Sequence, residues 1–315
     1  MVKHFLSYAL LVAVMLLAAC SEKNEYARVI PQDASVVGSV QLSALVQKSG
    51  LTAQENQKVL ENLKKSITQG LPADQAKLMD GILADPQESG IDFTKPVYLF
   101  VQPDGTTSGL VACVKSSDKL HDVADVLAGQ QVCSQVEEKD GASWTENGKS
   151  VFAFTDKVLL MASGRMKAED LKKQMTVWLG NTVERSFVGT KEYKEMTDTK
   201  ADVAFVNGLD LLPVELRSMI QAGMPQDARL GDIRMLTAVR FENGKMVADM
   251  QMIYKNAELK KMAEAQIAAL DKLEGTFMDA YPENTFCWMT LRGNGAKLYE
   301  QLDKQKVFII QIGRA

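Results

Sequence analysis

Residues 132–162 read VCSQVEEKDGASWTENGKSVFAFTDKVLLMA, and this stretch decides the fold class. Short runs rich in Val, Phe, Thr and Trp alternate with the dipeptides Asp140-Gly141, Asn147-Gly148 and Asp156-Lys157. Asn-Gly and Asp-Gly favour the left-handed backbone of tight hairpin turns, so successive runs should pair as antiparallel strands. The stretch therefore predicts a meander of four strands, at 132–136, 143–145, 151–154 and 158–162.

The segments on either side extend this pattern. A hairpin is predicted at 97–102 and 109–114 around PDGTTS, two long strands around Asn243-Gly244, and single strands at 35–42 and 201–206. Helices are predicted where apolar residues recur every three or four positions. They are 118–127, a segment with Leu171, Met175 and Trp178 on one side, 213–222, and 257–273 with Leu259, Met262, Ile267 and Leu270 facing inward.

Two more helices are predicted between the first strand and the first hairpin. Thr52-Ala53-Gln54-Glu55 is a capping box that opens a helix with Leu60, Leu63 and Ile67 on one face. Pro72 begins the second, because proline suits the first helical turn. Hairpins dominate the connections, so the predicted class is α+β, with an antiparallel sheet built from hairpins and meanders and helices packed on one face.

The chain also contains an internal repeat. IPQDASVVGSVQLSALVQKSGL, from Ile30, aligns without gaps with YPENTFCWMTLRGNGAKLYEQL, from Tyr281, and ADVAFVNGLDLLPVEL, from Ala201, is a weaker third relative. We expect a truncated or frame-shifted second copy, because the final KVFIIQIGRA has no successor to bury it. The alternative is a complete protein whose tail adds an edge strand. The predicted divisions are a signal peptide at 1–19, a tether at 20–29, an α+β domain at 30–280 with sub-units 30–199 and 200–280, and an incomplete second repeat at 281–315.

The N-terminus has the pattern of a lipoprotein leader. Lys3 and His4 precede an apolar run at 5–17, which is too short to cross a hydrocarbon core that needs about 20 residues. The run ends in Leu17-Ala18-Ala19-Cys20, and this matches the lipobox in which diacylglycerol alkylates the cysteine thiol before cleavage. Cys20 is therefore the predicted lipid attachment, and it would hold the protein on a bacterial envelope membrane, at the periplasmic face or the cell surface.

Composition bears on a nucleic-acid partner, and the cysteine positions bear on a disulfide. The chain has 36 basic and 40 acidic residues, and the basic residues do not form a stripe. We therefore expect no nucleic-acid partner. Cys113 and Cys133 lie at the end of one predicted strand and the start of another, and disulfides can form in an envelope compartment. They are candidates for a disulfide, and the alternative is two small buried hydrophobes. Cys287 would then have no partner.

Histidine chemistry is nearly absent from the mature chain. Of two histidines, His4 leaves with the leader, and His121 shares a predicted helix with Asp118, Asp122 and Asp125, which is typical of a solvated face. A Ser-His-Asp triad or a Cys-His dyad would have to use His121. Residues that could bind zinc are not clustered in the sequence. We therefore expect no metal, no cofactor and no catalytic residue that can be named.

Two short motifs weakly suggest a serine nucleophile. Ser116 and Lys119 have the S-x-x-K spacing, but the pair of serines at 116–117 is explained by capping of the following helix. The sequence GASWT, from Gly141, begins like a nucleophile elbow but lacks its final glycine and lies in a predicted hairpin. Neither motif predicts an enzyme.

The lipobox, the opening IPQDASVVGSVQLSALVQKSGL, the segment YLFVQPDGTTSGLVACVKSSDKLHDVADVL and the later ADVAFVNG together resemble a family of Bacteroides-type envelope lipoproteins. That family is known as a domain of unknown function, number 4836. The resemblance covers nearly all of the mature chain and implies no activity and no site residues.

Two functional hypotheses follow. The first is a lipid-anchored, non-catalytic envelope protein that binds another protein or a ligand through its sheet or a helix face. The second is an envelope or polysaccharide hydrolase that uses a carboxylate pair. An alignment of related sequences would separate the two hypotheses, by showing whether exposed acidic positions such as Glu137, Glu138 and Asp140 vary freely.

Overall fold

The computed structural model describes residues 22–50, 56–209, 212–222, 224, 227–268, 270, 292–297 and 299–300. The chain divides into two compact units. The first comprises residues up to 211 together with 234–253, and the second comprises 212–233 and the residues from 254 onward. The leader, Cys20, Cys287 and the second copy of the repeat up to residue 291 lie outside the described residues, so the predictions about them stay predictions.

The first unit is built on one antiparallel sheet of ten strands, in the order β10-β9-β8-β1-β2-β3-β7-β6-β5-β4. The predicted α+β class is confirmed. The strands are β1 (Val36–Val40), β2 (Val97–Val101), β3 (Ser108–Cys113), β4 (Glu137–Lys139), β5 (Ala142–Asn147), β6 (Ser150–Phe154), β7 (Val158–Ser163), β8 (Val203–Gly208), β9 (Ile233–Glu242) and β10 (Lys245–Tyr254).

The hairpin turns form where the sequence predicts them. Asp140 and Gly141 both have positive φ, 52° and 77°, as a two-residue hairpin turn requires. One predicted strand of the meander is wrong, because 132–136 is not in the sheet and the short strand β4 pairs with β5 instead. Residue Ser134 still contacts this region, since its amide donates to the Glu146 carbonyl at 2.8 Å.

The division at 199/200 is not where the structure separates. Strands β8, β9 and β10 complete the same sheet as β1 to β7, and β8 pairs directly with β1, with Gly38 opposite Phe205. The strands of the first and third repeat copies are therefore neighbours in one sheet. The predicted sub-unit 200–280 contributes strands to this sheet, because β8 pairs with the edge of β1 that would otherwise be free.

The helices of the first unit are α1 (Leu42–Lys48), α2 (Gln57–Thr68), α3 (Ala73–Ala84), α4 (Ser117–Gly129), α5 (Ala168–Leu179) and α6 (Lys191–Asp198). The predicted inward residues of α5, Leu171, Met175 and Trp178, are all buried. The box at 52–55 and the side chains of Leu60, Leu63 and Ile67 lie outside the described residues.

The main core occupies one face of the sheet. Side chains of β2, β6, β7 and β8 that alternate along each strand meet α5 and α6 there. A smaller cluster on the opposite face joins Leu120 and Ala124 of α4 to Phe154 of β6. The predicted one-sided arrangement therefore describes the main core, and α4 adds a second layer on the other face.

The N-terminal segment is part of the main core, which corrects the predicted tether. Glu22–Val29 forms a 3-10 helix, and Tyr26, Ala27 and Val29 are buried. The Tyr26 hydroxyl donates to the Pro96 carbonyl at 2.5 Å, and its ring lies 5.9 Å from that of Tyr98. The aromatic side chain at position 26 explains the difference, because burying such a ring stabilises the fold far more than leaving it on a solvated linker.

Tyr193 joins Tyr26 and Tyr98 to form a group of three buried phenols. The hydroxyl of Tyr98 lies 3.4 Å from that of Tyr193, and burial raises the pKa of Tyr26, Tyr98 and Tyr193 above the ordinary tyrosine value. The three side chains are neutral at physiological pH, so they fasten the N-terminal segment to the sheet without any buried charge.

Two polar contacts lie where β1, β8 and β9 adjoin in the sheet. Lys48 donates to both carboxylate oxygens of Asp202 at 2.7 Å, and the Phe241 amide donates to the same carboxylate at 2.7 Å. The buried Arg234 donates to the carbonyls of Ser35 and Ala34 at 2.8 and 3.1 Å.

The second unit contains helices α7 (Val214–Ala222) and α8 (Ala257–Ile267) and a 3-10 turn, Leu230–Asp232. Leu259 is buried as predicted, but Ile267 and Leu270 are exposed. The prediction for those two is wrong. Ile267 lies in the last turn of α8 and is exposed there, and Leu270 lies beyond the end of the helix, so the helical repeat does not place it inward.

Candidate functional site

Helix α4 has two cavities beside it, on the sheet face opposite the main core. Ser116 caps the helix, since its hydroxyl accepts from the Lys119 amide at 3.3 Å, and Leu120, Ala124 and Ala128 form its buried side. Phe154 of β6 lies beneath the helix and lines both cavities. We refer to the two cavities together as the cleft along α4, and to each cavity as one of its compartments.

The first compartment, which we name the polar cavity, has a volume of about 380 Å³. Beside Phe154, the side chains that line it are hydroxyls, acids and one histidine, contributed by α4, by β4 and β5, and by the turn after β6. They include Ser117, Asp118, His121, Glu138, Ser143 and Asp156, and the Ala142 methyl group also lines the cavity. Among the described residues, no lysine or arginine lines this cavity.

Hydrogen bonds inside the polar cavity centre on Glu138. The Ser143 hydroxyl donates to Oε1 of Glu138, and Nε2 of His121 lies 3.9 Å from the same oxygen. On its other side, Nδ1 of His121 lies 3.1 Å from Asp125. The imidazole and the Phe154 ring are nearly perpendicular, with centroids 6.2 Å apart. Because Ser143 donates to Glu138, the serine is not paired with His121 as a base would require.

The second compartment, the apolar cavity, has a volume of about 200 Å³. Aliphatic and aromatic side chains from α4, from the loop after it and from β6 and β7 line it. They include Leu120, Val123, Leu127, Val132, Phe152 and Leu159. The Cys133 thiol also lines this cavity, and its sulfur lies 3.7 Å from the Ala124 carbonyl oxygen.

The two candidate disulfide cysteines are free thiols, which corrects that prediction. Cys113 packs against the main core, whereas Cys133 lines the apolar cavity on the opposite face. They cannot meet because α4 crosses to the second face before the chain reaches Cys133. Burial, with the nearby Asp92 charge, raises the pKa of the Cys113 thiol.

The motif residues play structural roles. Lys119 forms an ion pair with Glu88 at 2.7 Å, so its ammonium does not face Ser116 and the capping interpretation of that serine is confirmed. Glu137 and Asp140 line a separate cavity of about 370 Å³ beside Trp144. Glu138 alone of the three singled-out acids enters the polar cavity.

Two features are absent from the described residues. No group of three His, Cys, Asp or Glu side chains in these ranges could hold a metal ion. Within the same ranges, no helix combines the length and apolarity that crossing a membrane would need.

The apolar cavity was not predicted from the sequence. The signal was present in the α4 pattern, where Leu120, Val123, Ala124 and Leu127 recur at helical spacing. That pattern usually indicates a filled core, and only the structure shows that the sheet face beneath is incompletely packed.

The fold and the cleft define an α+β sheet domain with paired polar and apolar compartments. The sequence matches the family described as Domain of unknown function (DUF4836) over residues 26–313, and the chain belongs to that family. No curated protein shows significant similarity to the chain.

Crystal forms of the protein TP0453 resemble the chain at low identity. Form I has 9% identity and a TM-score of 0.42, and the similarity covers 89% of this chain and 97% of that one. Form III has 8% identity and a TM-score of 0.43, covering 79% and 89%. Form IV has 12% identity and a TM-score of 0.42, covering 72% and 80%.

Proposed function

We propose that this protein is a lipid-anchored, non-catalytic binding module of the bacterial cell envelope, and that its ligand site is the cleft along α4. The observation that carries the proposal is the pair of cavities that share Phe154. Adjacent apolar and polar compartments of this kind are typical of small-ligand sites, in which apolar walls bury the ligand and a few polar groups orient it.

The lipobox ending at Cys20 supports the anchor. Because Tyr26 is already in the core, at most five residues, 21–25, separate the anchor from the folded body. At about 3.5 Å per residue, this links the body to the bilayer over a distance of roughly 18 Å or less. The protein would therefore act close to the membrane surface.

The polar cavity supports binding better than catalysis. Glu138 accepts a hydrogen bond from the Ser143 hydroxyl, and no serine–histidine hydrogen bond is found among the described residues of the cavity. A hydrolytic activity on an envelope polysaccharide that is lost in both Glu138→Gln and Asp156→Asn would instead support a carboxylate-pair hydrolase.

Membrane fractionation tests the anchor. Cys20→Ser should leave the protein unprocessed or release it from the membrane fraction, whereas the matched control Cys113→Ser should remain in the membrane fraction. A Cys20→Ser protein that is correctly cleaved and still anchored would contradict the proposal.

A cleft-filling variant tests the site. Val123 is half-buried and lines the apolar cavity, so Val123→Phe should fill the cavity with little strain on the core. Native mass spectrometry after incubation with a small-molecule extract of the envelope should show compounds retained by the wild type and by Asp122→Asn, which changes an exposed residue of the same helix. Equal retention by Val123→Phe would contradict the site.

A further inference from the structure

We propose that the cleft ligand is a small organic amine, with a ring-sized apolar group in the apolar cavity and a protonated nitrogen in the polar cavity. The inference rests on the proposed function and adds the chemical class of the ligand. The shape of the apolar cavity limits the ligand more closely than that of the polar cavity.

The volume of the apolar cavity sets the size of the apolar group. At about 200 Å³, the cavity is somewhat larger than the roughly 150 Å³ apolar cavity that stays dry and accepts benzene. Leu120, Leu127 and Phe152 offer no hydrogen bonds to water, so an apolar group should be bound there in preference to solvent. One aromatic ring or a short branched chain fits this space, and a long acyl chain does not.

The charge of the polar cavity sets the sign of the ligand. Asp118, Glu138 and Asp156 bring three carboxylates to its wall. Three lysines are adjacent to these acids in sequence, and none of them lines the polar cavity. Lys119 pairs with Glu88 at 2.7 Å, Lys157 pairs with Glu25 at 3.7 Å, and Lys139 lines the separate cavity beside Trp144. An ammonium has three donors and no acceptor, which suits a wall of carboxylate and hydroxyl oxygens, whereas an anion would be repelled.

Phe154 separates the two compartments by a single side chain. Its ring lines each cavity and is 2% exposed, because Leu120 and Ala124 of α4 pack on it. A molecule with its apolar group beside Phe152 and its nitrogen near Glu138 would therefore have to open this contact when it binds.

Three matched probes test the charge. Phenylbutylamine, phenylbutanol and phenylbutyrate share the same apolar part, and isothermal titration calorimetry on the mature chain carrying Cys20→Ser measures their affinities. We expect the amine to bind at least about fivefold more tightly than the alcohol, which corresponds to a single partly exposed ion pair. The acid should bind more weakly than the alcohol, and added salt should reduce both the preference for the amine and the disadvantage of the acid while leaving the alcohol unchanged.

Cys133 reports where the probes bind. Alkylation followed by peptide mass spectrometry should show that the amine protects Cys133, while Cys113, on the other face of the sheet, is labelled at its unchanged rate. Protection of neither thiol by a probe that binds would overturn the proposed site.

Two variants separate the failure of this inference from that of the proposed function. Glu138→Gln should weaken the amine about fivefold and leave the alcohol unchanged, and Val123→Phe should abolish binding of both. Equal affinities for amine and alcohol in the wild type, both lost in Val123→Phe, would refute the cationic ligand while the binding site stands. No binding of any probe to the wild type at millimolar concentration would overturn both.

Discussion

The packing of Tyr26 gives the sharpest stability prediction, because it decides whether the N-terminal segment belongs to the fold. Its ring is 5% exposed and lies 5.9 Å from the Tyr98 ring. Removing a buried aromatic ring typically costs about 3–5 kcal/mol. Tyr26→Ala should therefore lower the free energy of unfolding by about that amount in urea denaturation.

Two further variants divide this effect into its parts. Tyr26→Phe keeps the ring but leaves the Pro96 carbonyl without its donor, which should cost about 1–3 kcal/mol. Glu25→Gln removes only surface ion pairs, with Arg28 and Lys157, and should change stability by about 1 kcal/mol or less. If Tyr26→Ala destabilised the protein no more than Glu25→Gln, the segment would be a tether and the core assignment would be refuted.

Three other changes test the sheet. Burial alone would raise the pKa of Asp202, but the hydrogen bonds from Lys48 and the Phe241 amide outweigh it and lower the pKa. The stabilisation by Asp202 is thus complete above pH about 4 and lost as the pH falls. Asp202→Asn should cost about 1.5–3 kcal/mol at neutral pH and make acid unfolding less steep, as followed by circular dichroism. A Cβ on Gly109 would lie 2.3 Å from the Phe100 ring, so Gly109→Ala should lower the melting temperature through a loss of about 1–3 kcal/mol. Arg234→Met removes the donors to two buried carbonyls and should cost about 2 kcal/mol or more in urea denaturation, whereas unchanged stability would show that these bonds contribute nothing.

The sequence predicted the sheet well where turn chemistry is explicit. Asp140-Gly141 and Asn243-Gly244 each join two strands, and the third turn is Gly148-Lys149, because Asn147 still pairs with Ser150. The glycine of each turn has positive φ, which few other residues tolerate. The predicted strand at 132–136 did not form. Its composition favours a strand, but it has no partner strand of matching length among the described residues. Local composition could not show that β4 takes that place in the sheet.

The candidate site was less predictable, because it depends on which face each element covers. Cys113 and Cys133 are close in sequence and in predicted strand order, yet α4 places them on opposite faces. His121 and Glu138 could each be recognised as polar surface residues, but their approach to 3.9 Å requires the α4 crossing. Tertiary packing of this kind leaves no local signal.

Methyl-resolved NMR with phenethylamine tests the cleft most directly. If the amine binds along α4, the methyl resonances of Val123, Leu127 and Val132 should shift in a saturable way, while those of Val37 and Leu171 in the main core should not. The shifts should disappear in Val123→Phe and persist in Asp122→Asn. Saturable shifts confined to another surface, or none at millimolar amine, would contradict a ligand site at this helix.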